Sequence, residues 1–460
     1  MSILSQKSAR PPAPEVATSI PSVAEGLAEF AAEYSSPDRS LPPEVSDALD
    51  RVLENTLAVM LAGASTEHCV ALAQAWGGRN GVPLPVDLSL ESACWLGGVA
   101  AVSMEMDEGH REAGGHPAAQ CFPAVLSLAA VRNAPGWLLQ RALLIAYEVT
   151  ARIGSVADLP PEAHPHGTAG AVGAAAGCAA LLGLPRAQVK EAIRAGLAMP
   201  IATSWSAVHA GGAVRDQWVG AANLNGLNAS RFAASGLQAG EALGLGGLGR
   251  LDRAHVGGSH SSQWFITGNY FKRHSACAYL HGSIDAVLKL RQEMHMGRQE
   301  LATVRELTVE VPPFATDFCR EELTTRHSAW FSIPFAVSSA LLYGDVSYVR
   351  STPEAWTQEF RKAVSRVRVR PSHDFSGLTS ASRPARVTAE LEDGRAIAVS
   401  VDHPCGDQEL TPFEQNEWDA LTSAHLAMSP TSLTKEELRL LIASLDTRSS
   451  RALTDVLTQQ

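Results

Sequence analysis

The stretch PEVSDALDRVLENTLAVML, from Pro43 to Leu61, decides the fold class. Val45, Leu49, Val52, Leu53, Leu57 and Met60 recur at spacings of three and four, the period of an α-helix with one buried face. The same period returns over residues 89–104, 120–131, 135–153, 170–182, 186–195 and 217–235, with short polar connections, so an all-helical bundle is predicted. Gly170, Gly173, Ala174, Ala175, Ala176 and Gly177 stand where a bundle usually carries leucine, so helices there can approach closely. The Gly-rich residues 236–249 read as loop.

The pattern changes after about residue 268. Residues 304–311 alternate apolar and polar side chains, which predicts a strand. Residues 386–391 and 396–401 flank a turn of Glu392, Asp393 and Gly394, which is hairpin chemistry. With helical segments at 283–293 and 335–342, residues 265–407 read as a smaller α+β domain beside the large helical one. The expected class is therefore mainly α. Residues 24–264 form the first part of the helical domain, and residues 408–460 return to helical periodicity and pack back on it. Residues 1–23, rich in Ser, Pro and Ala and without a signal peptide's apolar core, read as a disordered tail.

A chain of 460 residues with 45% hydrophobic content can bury two cores. A formal net charge of −11 argues against nucleic acid or an anionic membrane surface as a partner, because both require a basic footprint. No run has the length and apolarity of a membrane span. Seven cysteines without a C-x-x-C pair suit neither a disulfide framework nor a zinc knuckle, and imply a reducing, cytoplasmic setting. The remaining partner is a small ligand.

Polar residues of chemical interest fall in five places. Residues 104–117 gather Glu105, Asp107, Glu108, His110, Arg111, Glu112 and His116 in one turn-rich loop. His164, His166, Gly167 and Thr168 precede a helix start, where free N–H groups favour an anion. Arg215 offers a fork for a carboxylate. Lys272, one of only six lysines, follows Tyr270 and Phe271 and precedes Arg273 and Cys277. Tyr147 is an isolated phenol in an apolar helix. An acidic chain that handles an anion must collect its cations locally, and these places do so. His, Lys and Tyr are also groups that burial can tune for proton transfer beside a carboxylate. Plainer readings exist for each: Asp107 and Glu108 as a helix cap or partners of Arg111, the His164 loop as a cap, Arg215–Asp216 as a structural ion pair, and Tyr147 as core. The histidine spacing matches no specific metal-ligand signature, so neither metal nor cofactor is expected.

Taken in order, the Met-Glu-Met-Asp-Glu-Gly-His and Gly-Gly-His-Pro loop, Tyr147-Glu148-Val149 with Arg152-Ile153-Gly154, His-Pro-His-Gly-Thr-Ala-Gly from residue 164, the segment 272–285 and Phe331-Ser332-Ile333-Pro334-Phe335 resemble the MmgE/PrpD family. The resemblance implies a helical domain built from both chain ends, an α+β lid between them, an active-site cleft where they meet, and a homodimer. Members include 2-methylcitrate dehydratase, cis-aconitate decarboxylase and iminodisuccinate epimerase, which share carbanion or enol chemistry beside a carboxylate without a required metal. By position, Glu105 and Asp107 fall in the family's acidic loop, His116 and His164 match its histidines, and Lys272 matches its lid lysine. Arg215 replaces a lysine common in the family, Cys277 a histidine of the decarboxylases, and Gly109-His110 a different pair in the better-known dehydratases. The expected activity is dehydration of a small carboxylic acid, with epimerisation or decarboxylation as alternatives and a non-catalytic acid-binding protein as the rival. Lys272, His116, Tyr147, His164 and Asp107 are the expected catalytic groups, and Glu105, His110, His166, Gly167, Thr168, Arg215, Arg273 and Cys277 the expected substrate contacts.

Overall fold

A computed structural model of the protein describes residues 21–76, 88–240, 248, 250–251, 263–293, 303–378, 381–451, 453 and 455. The expected tail lies outside the described residues as far as residue 20, and the first helix, α1 (Pro21–Tyr34), starts inside its last three. Most of the Gly-rich stretch 236–249 also lies outside them. The body continues with α2 (Pro43–Ala64), α3 (Glu67–Ala75), α4 (Leu90–Val102), α5 (Pro117–Arg132), α6 (Gly136–Val156), α7 (Gly170–Leu181), α8 (Arg186–Leu197), the short α9 (Trp205–His209) and α10 (Val214–Ala234). Local chemistry sets several ends. Pro43 opens α2 with a φ already suited to the first turn, Ser89 caps α4 by accepting from the Ser92 N–H at 3.2 Å, and Asn133 closes α5 in the left-handed conformation.

Every residue of α7 is buried, and the helix packs against α5, α6, α8 and α10. A helix enclosed on all sides by neighbours has no face for large side chains, and its composition of Gly, Ala, Val, Cys and Leu meets that demand. Contact with α10 is tight at Gly226, where an added Cβ would stand 2.3 Å from Ala174 Cβ.

Two two-residue ladders tie loops together, β1 (Gly109–His110) with β4 (Asn269–Tyr270) and β2 (Ala157–Asp158) with β3 (Arg250–Leu251). The rest of the described β-structure follows α11 (His281–Glu293). It comprises β5 (Val304–Val311), β6 (Val367–Pro371), β7 (Ala385–Leu391) and β8 (Ala396–Val401), in the order β6-β5-β7-β8, parallel between β5 and β6 and antiparallel elsewhere. α11 lies across β7 and β8; α12 (Arg326–Trp330), α13 (Ile333–Tyr343) and α14 (Gln358–Val364) complete the layer. Ile284, Val287, Leu290, Val309, Trp330, Phe335 and Val387 form a core separate from those of the body. β6 was not expected. Its Val-Arg-Val-Arg-Pro run is short and charged, as suits an exposed edge strand.

The chain then returns to the body. α15 (Gln415–Ala427) and α16 (Lys435–Ala443) pack on α2, and Arg439 holds the buried Glu54 through Nε–Oε2 and Nη2–Oε1 contacts of 2.9 and 2.8 Å. The class is mainly α, as the periodicity predicts. Among the described residues no single helix is long and apolar enough to cross a membrane.

The tight α7–α10 contact gives a test whose sign opposes intrinsic helix propensity. Gly226→Ala gains about 1 kcal/mol of propensity, yet the clash with Ala174 is expected to lower net stability by about 1–3 kcal/mol. A urea midpoint at or above that of the native protein would refute the packing argument.

Candidate active site

The acidic loop leaves α4 and turns at Glu105, which adopts a left-handed φ of 54°. That conformation costs a residue with a side chain about 1–2 kcal/mol. Four residues later Gly109 faces Tyr270 across the β1–β4 ladder, where a Cβ would lie 2.3 Å from the tyrosine ring. Only glycine lets the two strands meet, and their meeting sets residues 105–110 against residues 270–277.

A buried charge network results. Lys272 Nζ, fully enclosed, donates to Glu105 Oε1 at 2.8 Å and Asp107 Oδ1 at 3.0 Å. Arg215, in the first turn of α10 and equally buried, pairs with the other oxygen of Glu105, and its Nη1 donates to Asp216 Oδ1 at 2.9 Å and the Val102 carbonyl at 3.2 Å. Asp216 Oδ2 meets His327 Nε2 at 3.1 Å and His68 Nε2 at 3.2 Å. Burial disfavours charge in every one of these groups, and opposite charges overcome it. Asp107 is held well below the usual carboxylate range by His116 and Lys272, and Asp216 by His327, His68 and Arg215. Lys272 is pushed up to about 12 by Asp107 and Glu105, and His68 to about 10 by Asp216.

Two histidines complete the arrangement. His116 precedes α5, and its Nδ1 lies 2.7 Å from the Glu108 carbonyl and 3.0 Å from Asp107 Oδ2. A proton on Nδ1 satisfies both acceptors, which leaves the lone pair on Nε2. His164 Nδ1 instead accepts the His166 N–H at 3.2 Å, so its proton sits on Nε2. Burial, with Arg215 and His116 nearby, holds His164 neutral, well below the usual imidazole range. Both rings line one cleft with Glu105, Arg215 and Cys277, walled by Trp205, Tyr270 and Phe331. The cavity measures about 30 Å³, so a bound acid must displace part of that wall.

The structure brings Glu105, His116, His164, Arg215 and Cys277 to this cleft and sets other expected residues elsewhere. Lys272 and Asp107 lie one layer behind it; the ammonium reaches His116 only through the Asp107 carboxylate. Tyr147 is deeper still, donating to Glu108 Oε1 at 2.6 Å. His166 is fully buried behind His116 and His164, at ring distances of 5.1 and 4.4 Å. The helix start before α7 does not open on the cleft: the Gly167 N–H donates to Gln120 Oε1 at 2.9 Å and the Thr168 hydroxyl to the Pro165 carbonyl. His110 packs against Phe265 in a separate pocket, its imidazole pushed down to about 4 by burial. Arg273 pairs with Glu417 and lines a third pocket. The Cys277 thiol is pushed up to about 12 by burial, which leaves it protonated.

Asp107, His116 and His166 could hold a metal ion, with ligand atoms within 4.8 Å of one another. The Lys272 ammonium already occupies the other Asp107 oxygen, so a divalent ion there would meet a fixed positive charge. Sequence reasoning missed two groups. Glu108, though in the expected acidic loop, is not among the expected catalytic groups or substrate contacts, and Arg383 is not singled out at all. Arg383 lines the cleft and stacks on Tyr270 with its guanidinium carbon 4.1 Å from the ring centroid.

The MmgE/PrpD N-terminal domain matches residues 25–259 and the MmgE/PrpD C-terminal domain residues 274–446, so the seam between the two matches adjoins Lys272. A curated protein of Aspergillus oryzae named cis-aconitate decarboxylase-like protein oryM is 25% identical over 368 residues, 73% of this chain and 76% of the relative.

Glu108 gives the site a pH signature. Burial pushes its carboxyl up to about 8 despite the hydrogen bond from Tyr147, against an ordinary 4.5. The folded state thus keeps a proton that the unfolded chain releases, so this group's contribution is complete below about 4.5 and lost as pH rises through about 8. Glu108→Gln, neutral throughout, is expected to flatten the fall in stability over that window. An identical pH–stability profile for variant and native protein would show that Glu108 is already ionised when folded.

Proposed function

The chain belongs to the MmgE/PrpD family, and on that footing we propose that it is an enzyme that removes a proton beside a carboxylate of a small acid and expels water, in the manner of 2-methylcitrate dehydratase. The observation that carries the reading is a pair of imidazoles with opposite tautomers on one cleft, His116 offering a lone pair and His164 an N–H. His116 Nε2 takes the proton from the carbon next to the carboxylate, and the electron pair forms the double bond. The neighbouring hydroxyl leaves with the proton now on His116, so the product is water and the imidazole ends neutral. Asp107, 3.0 Å from His116 Nδ1, stabilises the intervening imidazolium. The His164 N–H binds the substrate carboxylate as negative charge builds on it. Lys272 acts through Asp107, and is a positioning residue that keeps that acid ionised. The sheet region serves as the lid whose movement admits the acid.

Decarboxylation is the second reading, supported by the name of the fungal relative. There the C–C bond breaks, carbon dioxide departs, and a protonated His116 supplies a proton to the carbon.

Proton NMR in heavy water with 2-methylcitrate, citrate, cis-aconitate, tartrate and an imino-diacid separates the readings. Dehydration removes a C–H signal and leaves an alkene, seen as a vinylic proton for citrate and as collapse of the methyl doublet to a singlet for 2-methylcitrate; decarboxylation releases carbon dioxide with deuterium in the product; epimerisation labels without changing the skeleton. If no acid is consumed or labelled, the protein is a binder and the proposal fails. His116→Gln, with an unchanged circular dichroism spectrum, is expected to lower turnover by about 10²–10⁴-fold.

A further inference from the structure

We propose that Arg383 is the residue that captures a carboxylate group of the substrate in the cleft. The inference rests on the cleft being a carboxylic-acid site, and its first support is a charge balance. Lys272 is paired with Glu105 and Asp107, and Arg215 with Glu105 and Asp216, while His68 and His327 share Asp216 and His116 faces Asp107, so both permanent cations of this connected network already have carboxylate partners. Arg111, which also reaches the cleft, is held by Asp407 and Glu409 at 2.8 and 2.5 Å. Arg383 alone among the cations that line the cleft has no carboxylate partner among the described residues, and its Nε is buried without a hydrogen-bond acceptor. The positive charge left over for an incoming anion is therefore its own.

Placement supports the same role. The guanidinium lies over Tyr270, whose ring centroid is 6.3 Å from that of His116, so one aromatic ring separates the cation from the imidazole that takes the proton. Tyr279 approaches from 5.6 Å. The backbone is held as firmly: Gly282 of α11 presses against the Arg383 carbonyl, where a Cβ would stand 2.2 Å away, and Pro384 confines Arg383 to extended conformations just before β7. A planar fork stacked on aromatic faces and fixed at its root is preorganised to hold a carboxylate through two parallel bonds. The arrangement favours acids that carry a second carboxylate beside the reacting one, because the His164 N–H and the Arg383 fork are separate anchors.

Calorimetric binding of tricarballylate, a tricarboxylate with neither hydroxyl nor double bond, tests this without turnover. Arg383→Gln is expected to weaken binding on the order of 100-fold and to abolish its dependence on salt. Arg383→Lys, which keeps the charge and loses the fork, is expected to fall between, and serves if the first variant does not fold. Binding by Arg383→Gln within threefold of native, equally tight binding of inorganic phosphate, or failure of the native protein to bind tricarballylate would overturn the assignment. Native binding that depends on Arg383, with no acid turned over in heavy water, would uphold it and sink the enzymatic reading instead.

Discussion

The ammonium of Lys272, sealed between Glu105 and Asp107, is the contact on which the rest of the site depends. Taking three charges out of water costs several kcal/mol for each. The attraction offsets that cost only if the two chain segments stay in register, and removing one partner from such a group typically destabilises by about 3–5 kcal/mol. The bridge joins residues 165 and 167 positions apart, across the seam between the two family domains. It is therefore a clamp on the chain as much as a feature of the cleft.

What the clamp orients lies one layer forward. Asp107 has one oxygen on Lys272 and the other beside His116, so the ion pair fixes the imidazole from behind while the Glu108 carbonyl fixes its tautomer. His164, which lines the same cleft, is set by the His166 backbone and by Trp205, whose ring lies 4.3 Å away. The two imidazoles start from the same chemistry and are driven apart by their hydrogen-bond partners. Glu105 joins the two halves of the network, with one oxygen on Lys272 and the other on Arg215, and its left-handed backbone turns it toward both.

Most of the long helices, though not α1 or α3, and three of the four long strands were legible because burial repeats with the period of the secondary structure. The local clustering of acids and histidines also pointed to the right loop. Periodicity says which face is buried, however, and not what lies across from it. His110 sits in the expected loop, yet successive side chains on a strand point to opposite sides, and with Gly109 turned to Tyr270 it is sent toward Phe265. Tyr147 is a buried phenol in the expected helix, but its partner is Glu108 and not the cleft. Arg383 follows a polar Ser-Ala-Ser run among many arginines, and its lack of a carboxylate partner among the described residues emerges only once the other cations lining the cleft have been paired in space.

The return of α15 and α16 to α2 has a consequence for how the protein is made. Glu54 is buried under Arg439, 385 residues further along, with Thr422 Oγ1 at 2.8 Å from the same carboxylate. On the ribosome, α2 emerges well before α15 and α16 and must wait for them before its outer face is covered. Through translation that nascent helix presents an apolar stripe and an unpaired acid, a surface that invites chaperones and self-association. Emergence of α15 and α16 from the exit tunnel, and not completion of the helices next to α2, is the event that seals the body.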